Sequence, residues 1–365
     1  MYVQPVGTLK WELDTPALIL DLDVIEGNIA RMEEFLRGKA ARIRPHMKTH
    51  KTPALAYKQL EAGAIGVTCA KLGEAEVMAN AGIRDILIAN QIIGPIKIER
   101  LMSLATRTDV MVAVDDPQNV RDLNEAAGRW GVRPRVLVEV DNGTHRCGVQ
   151  RGEPAIQLAA YVAEASNLRL AGVMGYEGFA VFIPDAEERA AAARGAMEIL
   201  TGAADDCRRA GLPIEIVSGG GTGTYATSGA YPGVTEIQAG SYITMDGRYK
   251  SIGMPFECGL TVLTTVISRP RPEVLITDLG MKQLSHEFGM PKVLDVPGAT
   301  LTRLSEEHGL VELDDPSAVK LQAGDKLEIL PSHGDTTINL HDYFFAVRNE
   351  RLEIVWPVAA RGKSR

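Results

Sequence analysis

Eight residues, RPHMKTHK at Arg44–Lys51, gather two lysines, two histidines and an arginine. If Ile43 to Lys48 runs as a strand, its side chains alternate between two faces. Ile43, Pro45 and Met47 then point one way, and Arg44, His46 and Lys48 the other. Lys48 stands at the C-terminal end of that strand, and Lys51 falls beyond it. A lysine shielded from water loses its proton more readily and can attack a carbonyl to form a Schiff base. A solvated basic surface loop is the competing reading of the same residues.

Three further stretches could carry chemistry. SGGGTGTY (Ser218–Tyr225) has four glycines in five positions. Their backbone N–H groups could converge on an oxyanion beside the Thr222 and Thr224 hydroxyls. The stretch matches neither a Walker A loop nor GxGxxG, so a flexible loop is the alternative. AGSY (Ala239–Tyr242) offers a second set of N–H groups and two hydroxyls. In DNGTHRCGV (Asp141–Val149), Arg146 could bind an anion or a ring nitrogen, or simply form a structural salt bridge. In SHGDTTINLHD (Ser332–Asp342), His333 and Asp335 are two apart and point the same way in an extended segment. They form half of a metal site that water or substrate would complete. His341 and Asp342 are additional candidates, with a polar strand end as the simpler account.

These residues need elements to hold them. From Ala17 to about Gly240, short apolar runs alternate with amphipathic stretches that close on glycine, which implies a parallel sheet. The runs are ALILDL (Ala17–Leu22), RIRPHMK, IGVTCA, DILIAN, VMVAVD, RVLVEVD, LAGVMGYEG, EIVSGGG and TEIQAGSY. A doubly wound sheet usually places its glycine fingerprint after the first strand, where ALILDLDVIEGN has one glycine. A (β/α)8 TIM-type barrel often builds a phosphate site after its last two strands, where SGGGTGTY and QAGSY lie. We therefore expect an α/β protein: a barrel over residues 16–259. Beyond Cys258 the pattern becomes β-rich, with RNER as a hairpin turn. Residues 260–365, joined by 1–15, are expected to form a smaller antiparallel β domain that carries the metal site.

The 365 residues have ordinary globular composition, and a net charge of −8 argues against general nucleic-acid binding. Four scattered cysteines with no CxxC pair suggest free thiols in a reducing compartment. The N-terminus has no apolar h-region, and no apolar run approaches membrane-spanning length. A soluble cytoplasmic protein is expected.

In order and spacing, DTPALILDLDVIEGNI, RPHMKTHK, DNGTHRCGV, GYEG, SGGGTGTY, IQAGSY, SHGDTTINLHD and VWPVAARGK resemble the D-threonine aldolase and D-serine dehydratase family. These are fold-type III pyridoxal-phosphate enzymes related to alanine racemase. The resemblance implies that Lys48 carries the cofactor, Arg146 contacts its pyridine nitrogen and Tyr176 lies beside it. It implies that Gly221, Thr222, Gly240, Ser241 and Tyr242 hold its phosphate, and that His333 and Asp335 bind a metal. Asp335 is a hard oxygen donor where dehydratase members tend to have cysteine. That favours the aldolase branch and manganese or magnesium, with zinc as an alternative.

One departure concerns GYEGFAVFIPD, where the aldolase pattern has a histidine proposed to take the β-hydroxyl proton. Here Phe179 and Phe182 stand instead, so either a metal-bound hydroxide replaces it, another histidine such as His46 or His286 does, or the reaction differs. The phenylalanines would make that side of the pocket apolar and suit a bulky β-substituent. The expected activity is cleavage of D-β-hydroxy-α-amino acids to glycine and an aldehyde. The alternatives are a D-serine or D-3-hydroxyaspartate dehydratase and a non-catalytic pyridoxal-phosphate homeostasis protein. The resemblance also implies a homodimer in which each β domain meets the partner's barrel.

Overall fold

A computed structural model describes residues 4–365. Contacts divide it into two compact units. One runs up to Arg31 and includes Thr49–Thr52 and Ser241–Arg361; the other comprises Met32–Lys48, Pro53–Gly240 and Gly362–Arg365.

The second unit is the parallel barrel. Among the described residues its eight strands are Arg42–Ile43, Val67–Cys69, Asp85–Gln91, Asp109–Val114, Arg135–Glu139, Arg169–Met174, Ile216–Gly219 and Glu236–Ile237. Every pairing among them is parallel, and Arg42–Ile43 joins Glu236–Ile237. Closure comes from a parallel bridge between His46 and Thr68. Met47 N–H donates to the Thr68 carbonyl at 2.7 Å and Thr68 N–H to Pro45 at 2.9 Å. The strands read as apolar runs because both faces are covered; Leu87, Met111, Ala113, Leu137, Ala171 and Met174 form one core cluster. Local chemistry fixes the intervening helices. Asp116 caps Pro117–Trp130 at the Gln118 and Asn119 N–H groups, and Gly131 ends that helix in the left-handed region. Asp185 caps Ala186–Arg209 in the same way.

Inside the barrel, Arg44 is buried. Its Nε reaches both Glu236 carboxylate oxygens at 3.1 and 3.0 Å, and its Nη1 reaches Asp85 at 2.7 Å. Arg135 also binds Asp85, at 2.8 Å. The inward-facing charge expected at Arg44 is therefore spent on carboxylates at the starts of other strands.

The first unit holds a nine-stranded sheet. Its main path runs through Ala299–Leu304, Gly309–Leu313, Val274–Thr277, Leu260–Arg271, Ala17–Asp21, Tyr343–Arg348 and Arg351–Pro357. Ala17–Asp21 corrects the sequence expectation. It pairs antiparallel with Leu260–Leu263 and parallel with Phe344–Val347, so it belongs to this sheet and not to the barrel. A short apolar run buried on both faces looks alike in either sheet, and periodicity cannot separate them. The main run of the barrel unit accordingly lies within the expected span 16–259, from Met32 to Gly240, while Gly362–Arg365, expected in the β domain, belong to it as well. Residues 4–15 do join the β-rich part: Gly7 N–H donates to Leu352, and Lys10 lies 3.0 Å from Glu328 and 2.9 Å from Glu350. Residues 1–3, expected there too, lie outside the described residues. The RNER hairpin forms as read, with Asn349 and Glu350 at φ of 50° and 59°. None of the four cysteines is in a disulfide, and among the described residues no helix is long and apolar enough to cross a membrane.

Candidate active site

Strand pairing at RPHMKTHK is shorter than expected. The ladder covers Arg42–Ile43, His46 makes the closing bridge, and residues 47–50 form a turn. Lys48 sits half-buried in that turn, its amide N–H 3.4 Å from His46 Nδ1. Its Nζ lies 5.7 Å from the centre of the Tyr176 ring, and Arg146 Cζ lies 5.7 Å from the same centre. Residues 128 positions apart from Lys48 to Tyr176 are thus drawn together at the carboxyl ends of the strands, where barrel proteins build sites.

The loop that presents Arg146 is folded by Asp141. One carboxylate oxygen accepts the N–H groups of Gly143 at 3.1 Å and His145 at 2.9 Å, and the other faces His145 Nδ1 at 2.9 Å. Burial pushes the Asp141 carboxyl up, but the His145 and Gly143 N–H groups outweigh it and hold it below its ordinary pKa. Gly148 is required here: its φ is 99°, and a Cβ would fall 2.6 Å from the Asp141 nitrogen. Arg146 Nη2 stands 3.9 Å from Glu139, with the arginine side chain 55% exposed, so this is a loose pair rather than a closed structural bridge.

Two residues beside it were missed in the sequence. Glu139 is buried and accepts from Gln91 Nε2 at 2.5 Å; burial raises its carboxyl pKa against the opposing pull of Gln91 and Arg146. Its signal was a glutamate inside the apolar strand RVLVE. Asn142 is 1% exposed, and neither its Nδ2 nor its Oδ1 has a hydrogen-bond partner. Buried amides are normally satisfied. The open donor and acceptor of Asn142 line a small cavity with Glu139, Arg146 and Tyr176.

The glycine loop has a different internal order from the one expected. Glu177 is fully buried and accepts from Gly220 N–H at 3.2 Å, Thr224 Oγ at 2.6 Å and Ser228 Oγ at 2.8 Å. Gly221 N–H donates to Thr224 Oγ at 3.1 Å. Two of the N–H groups assigned to an oxyanion are therefore used to shape the loop. Gly221 lies against the Tyr176 ring, where a Cβ would be 3.1 Å from Tyr176 Cε2. Thr222 is buried, and Gly240 is the last residue of this unit's main run. Phe179 is exposed and packs against Gly143; Phe182 is half-buried.

The other expected site residues fall in the first unit. Ser241 Oγ donates to Asp335 Oδ1 at 3.2 Å and lies 3.4 Å from Thr49 Oγ. Tyr242 is buried against Phe256, with ring centres 5.6 Å apart. His333 precedes the short helix Gly334–Ile338, which carries Asp335. Asp246 accepts Gly334 N–H and Tyr249 N–H, both at 2.9 Å. Burial, with Asp335 nearby, pushes the Asp246 carboxyl up to about 6. His341 is buried with Nε2 2.7 Å from the Gln283 carbonyl, and Asp342 pairs with Arg361; both are structural. His286 is exposed. Among the described residues no group of three or more His, Cys, Asp or Glu is arranged to hold a metal ion. His333 and Asp335 supply an imidazole and a carboxylate, a donor pair suited to a divalent ion with water or substrate completing the shell.

A closed parallel barrel with a lysine after its first strand, accompanied by a mainly antiparallel β unit, defines an alanine racemase-like protein. Residues 20–247 match the family described as alanine racemase, N-terminal domain, and residues 259–347 match the putative serine dehydratase domain. The chain belongs to the D-threonine aldolase and D-serine dehydratase family. It is 40% identical to a 3-hydroxy-D-aspartate aldolase of Paracoccus denitrificans, over 98% of this chain and 94% of that one. It is 41% identical to the crystal structure of D-threonine aldolase from Filomicrobium marinum, with a TM-score of 0.96 and coverage of 98% and 99%. A D-threo-3-hydroxyaspartate dehydratase of Delftia is 32% identical over 89% of this chain and 92% of its own. Membership implies pyridoxal phosphate as cofactor.

Proposed function

We propose that this protein is a pyridoxal-phosphate- and divalent-metal-dependent carbon–carbon lyase. It cleaves D-β-hydroxy-α-amino acids to glycine and an aldehyde. The observation that carries the reading is the grouping of Lys48, Arg146 and Gly221 around Tyr176.

In this reading Lys48 Nζ holds the cofactor covalently, Tyr176 packs on its ring, and Arg146 faces its ring nitrogen. A guanidinium stays protonated at any working pH, so it leaves that nitrogen without a proton. Gly221, Thr222, Gly240, Ser241 and Tyr242 hold the phosphate, and the open amide of Asn142 is a further polar contact. His333 and Asp335 hold manganese or magnesium, with zinc as the softer alternative. When bound, the cofactor supplies a sink for charge left at Cα, and the metal lowers the pKa of the substrate's β-hydroxyl. The substrate amine would take the place of Lys48 Nζ on the cofactor, a base such as His46 would accept the β-hydroxyl proton, the Cα–Cβ electron pair would stay at Cα as the aldehyde leaves, and the freed Lys48 ammonium would return a proton to Cα.

Purified protein incubated with D-threonine, D-phenylserine and D-3-hydroxyaspartate, with and without manganese, tests this. Glycine and aldehyde in equal amounts support it; neither product from any of the three overturns it. Phe179 and Phe182, standing where an aldolase histidine is expected, favour a second reading as a dehydratase. A keto acid plus ammonia in the same samples would establish that one. Cofactor binding without turnover of any amino acid would instead favour a non-catalytic homeostasis protein. The family resemblance supports a homodimer, which light scattering checks, and four cysteines without a disulfide fit a cytoplasmic location.

A further inference from the structure

His333 is held from two sides by its own unit. Its Nδ1 lies 2.5 Å from Glu287 Oε1, and the Phe288 ring is tilted 32° against the imidazole with centres 4.4 Å apart. The same Glu287 oxygen accepts Thr336 Oγ–H at 2.6 Å, so the carboxylate is itself fixed, and Thr336 lies one residue beyond Asp335. An imidazole whose Nδ1–H donates to a carboxylate has its proton placed and its Nε2 lone pair left for coordination. A histidine without such a partner is free to take either tautomer.

From this arrangement we infer that Glu287 is a positioning residue for the metal site. It holds His333 in the Nδ1–H tautomer and aims Nε2 as the coordinating atom. Thr336 steadies the carboxylate, and Phe288 limits rotation of the ring. The inference rests on the reading of His333 and Asp335 as metal ligands. No other carboxylate is hydrogen-bonded to His333 among the described contacts, so the function falls to one side chain. Glu287 is 41% exposed, which places the effect toward the lower end of the range for outer-shell partners.

The test uses the full-length holoprotein and manganese alone. Affinity is measured by calorimetry for the wild type, Glu287→Ala, Glu287→Gln, Thr336→Val and His333→Ala. Glu287→Ala should weaken manganese binding about tenfold, within the roughly 10–100-fold range for loss of an outer-shell partner. Glu287→Gln keeps a carbonyl acceptor and should recover most of that loss, and Thr336→Val should weaken binding slightly. Nitrogen NMR of the metal-free protein should find His333 protonated at Nδ1 in the wild type and shifted toward Nε2–H in Glu287→Ala, a change that a purely structural role would not produce. Glu287→Ala within twofold of wild type, while His333→Ala abolishes binding, overturns the inference and leaves the metal reading standing. Glu287→Gln as damaging as His333→Ala also overturns it, because the carboxylate would then be a ligand. Unchanged binding in His333→Ala removes the metal reading and the inference together.

Discussion

Glu177 gives the sharpest link between loop architecture and cofactor binding. Its two carboxylate oxygens take three donors, Gly220 N–H, Thr224 Oγ–H and Ser228 Oγ–H, in a fully buried position. Glu177→Gln replaces one oxygen with an NH2 group. If the remaining oxygen faces Gly220, the NH2 meets Thr224 Oγ, which already accepts Gly221 N–H, and Ser228. In the flipped orientation Gly220 N–H faces another donor. In the first orientation Thr224 Oγ–H can turn to the Gly221 carbonyl at 3.3 Å, but Ser228 Oγ–H loses its carboxylate acceptor; either way a buried donor loses its Glu177 partner, at a cost of about 1–3 kcal/mol. The loop that would cradle the phosphate then spends about 2 kcal/mol returning to its binding shape, equivalent to roughly thirtyfold in Kd. Titrating pyridoxal phosphate into apoprotein and following fluorescence quenching measures this, with a melting curve to verify the fold. A folded variant whose Kd stays within threefold of wild type would refute the assignment of this loop.

Three other outcomes follow from the same contacts. Asn142→Leu should raise the melting temperature of the apoprotein, because an unsatisfied buried amide costs about 1–3 kcal/mol. It should also shrink the stabilisation that the cofactor adds, so a lower apoprotein melting point would count against the reading. Glu236→Leu takes both acceptors from Arg44 Nε and leaves the buried guanidinium with Asp85 alone; it should cost about 3 kcal/mol in denaturant unfolding, the lower end for breaking a buried pair, whereas Arg44→Met with Glu236→Leu should recover most of it. Burial lowers the pKa of His341 from its ordinary 6.5. The unfolded chain therefore takes up a proton before the native state does. Stability present above 6.5 is lost as pH falls through the unfolded and then the native pKa. Thermal melts at descending pH should show this loss in the wild type and a shallower loss in His341→Gln.

The sequence pointed to Lys48 through strand parity and the late glycine loops. Regular pairing ends early, after Arg42–Ile43: Arg44 is buried inside as parity expects, whereas Lys48 lies in the turn at residues 47–50 that follows. Ala17–Asp21 was misplaced for a physical reason, since an apolar strand covered on both faces carries no mark of the sheet it joins. The sequence did not single out Glu177 or Asn142. Their importance lies in who their neighbours are, Gly220, Thr224 and Ser228 for one and none for the other, and that is set by tertiary contacts. Glu287 lies 46 residues before His333, so nothing local in SHGD announces it.

The central assignment is that Lys48 holds the cofactor. Borohydride reduction of the holoprotein, followed by peptide mass mapping, tests it most directly. The account predicts a pyridoxyl-phosphate adduct on Lys48 and no adduct or visible cofactor absorbance in Lys48→Ala. An adduct on Lys51 or any other lysine, or undiminished absorbance in Lys48→Ala, would contradict it.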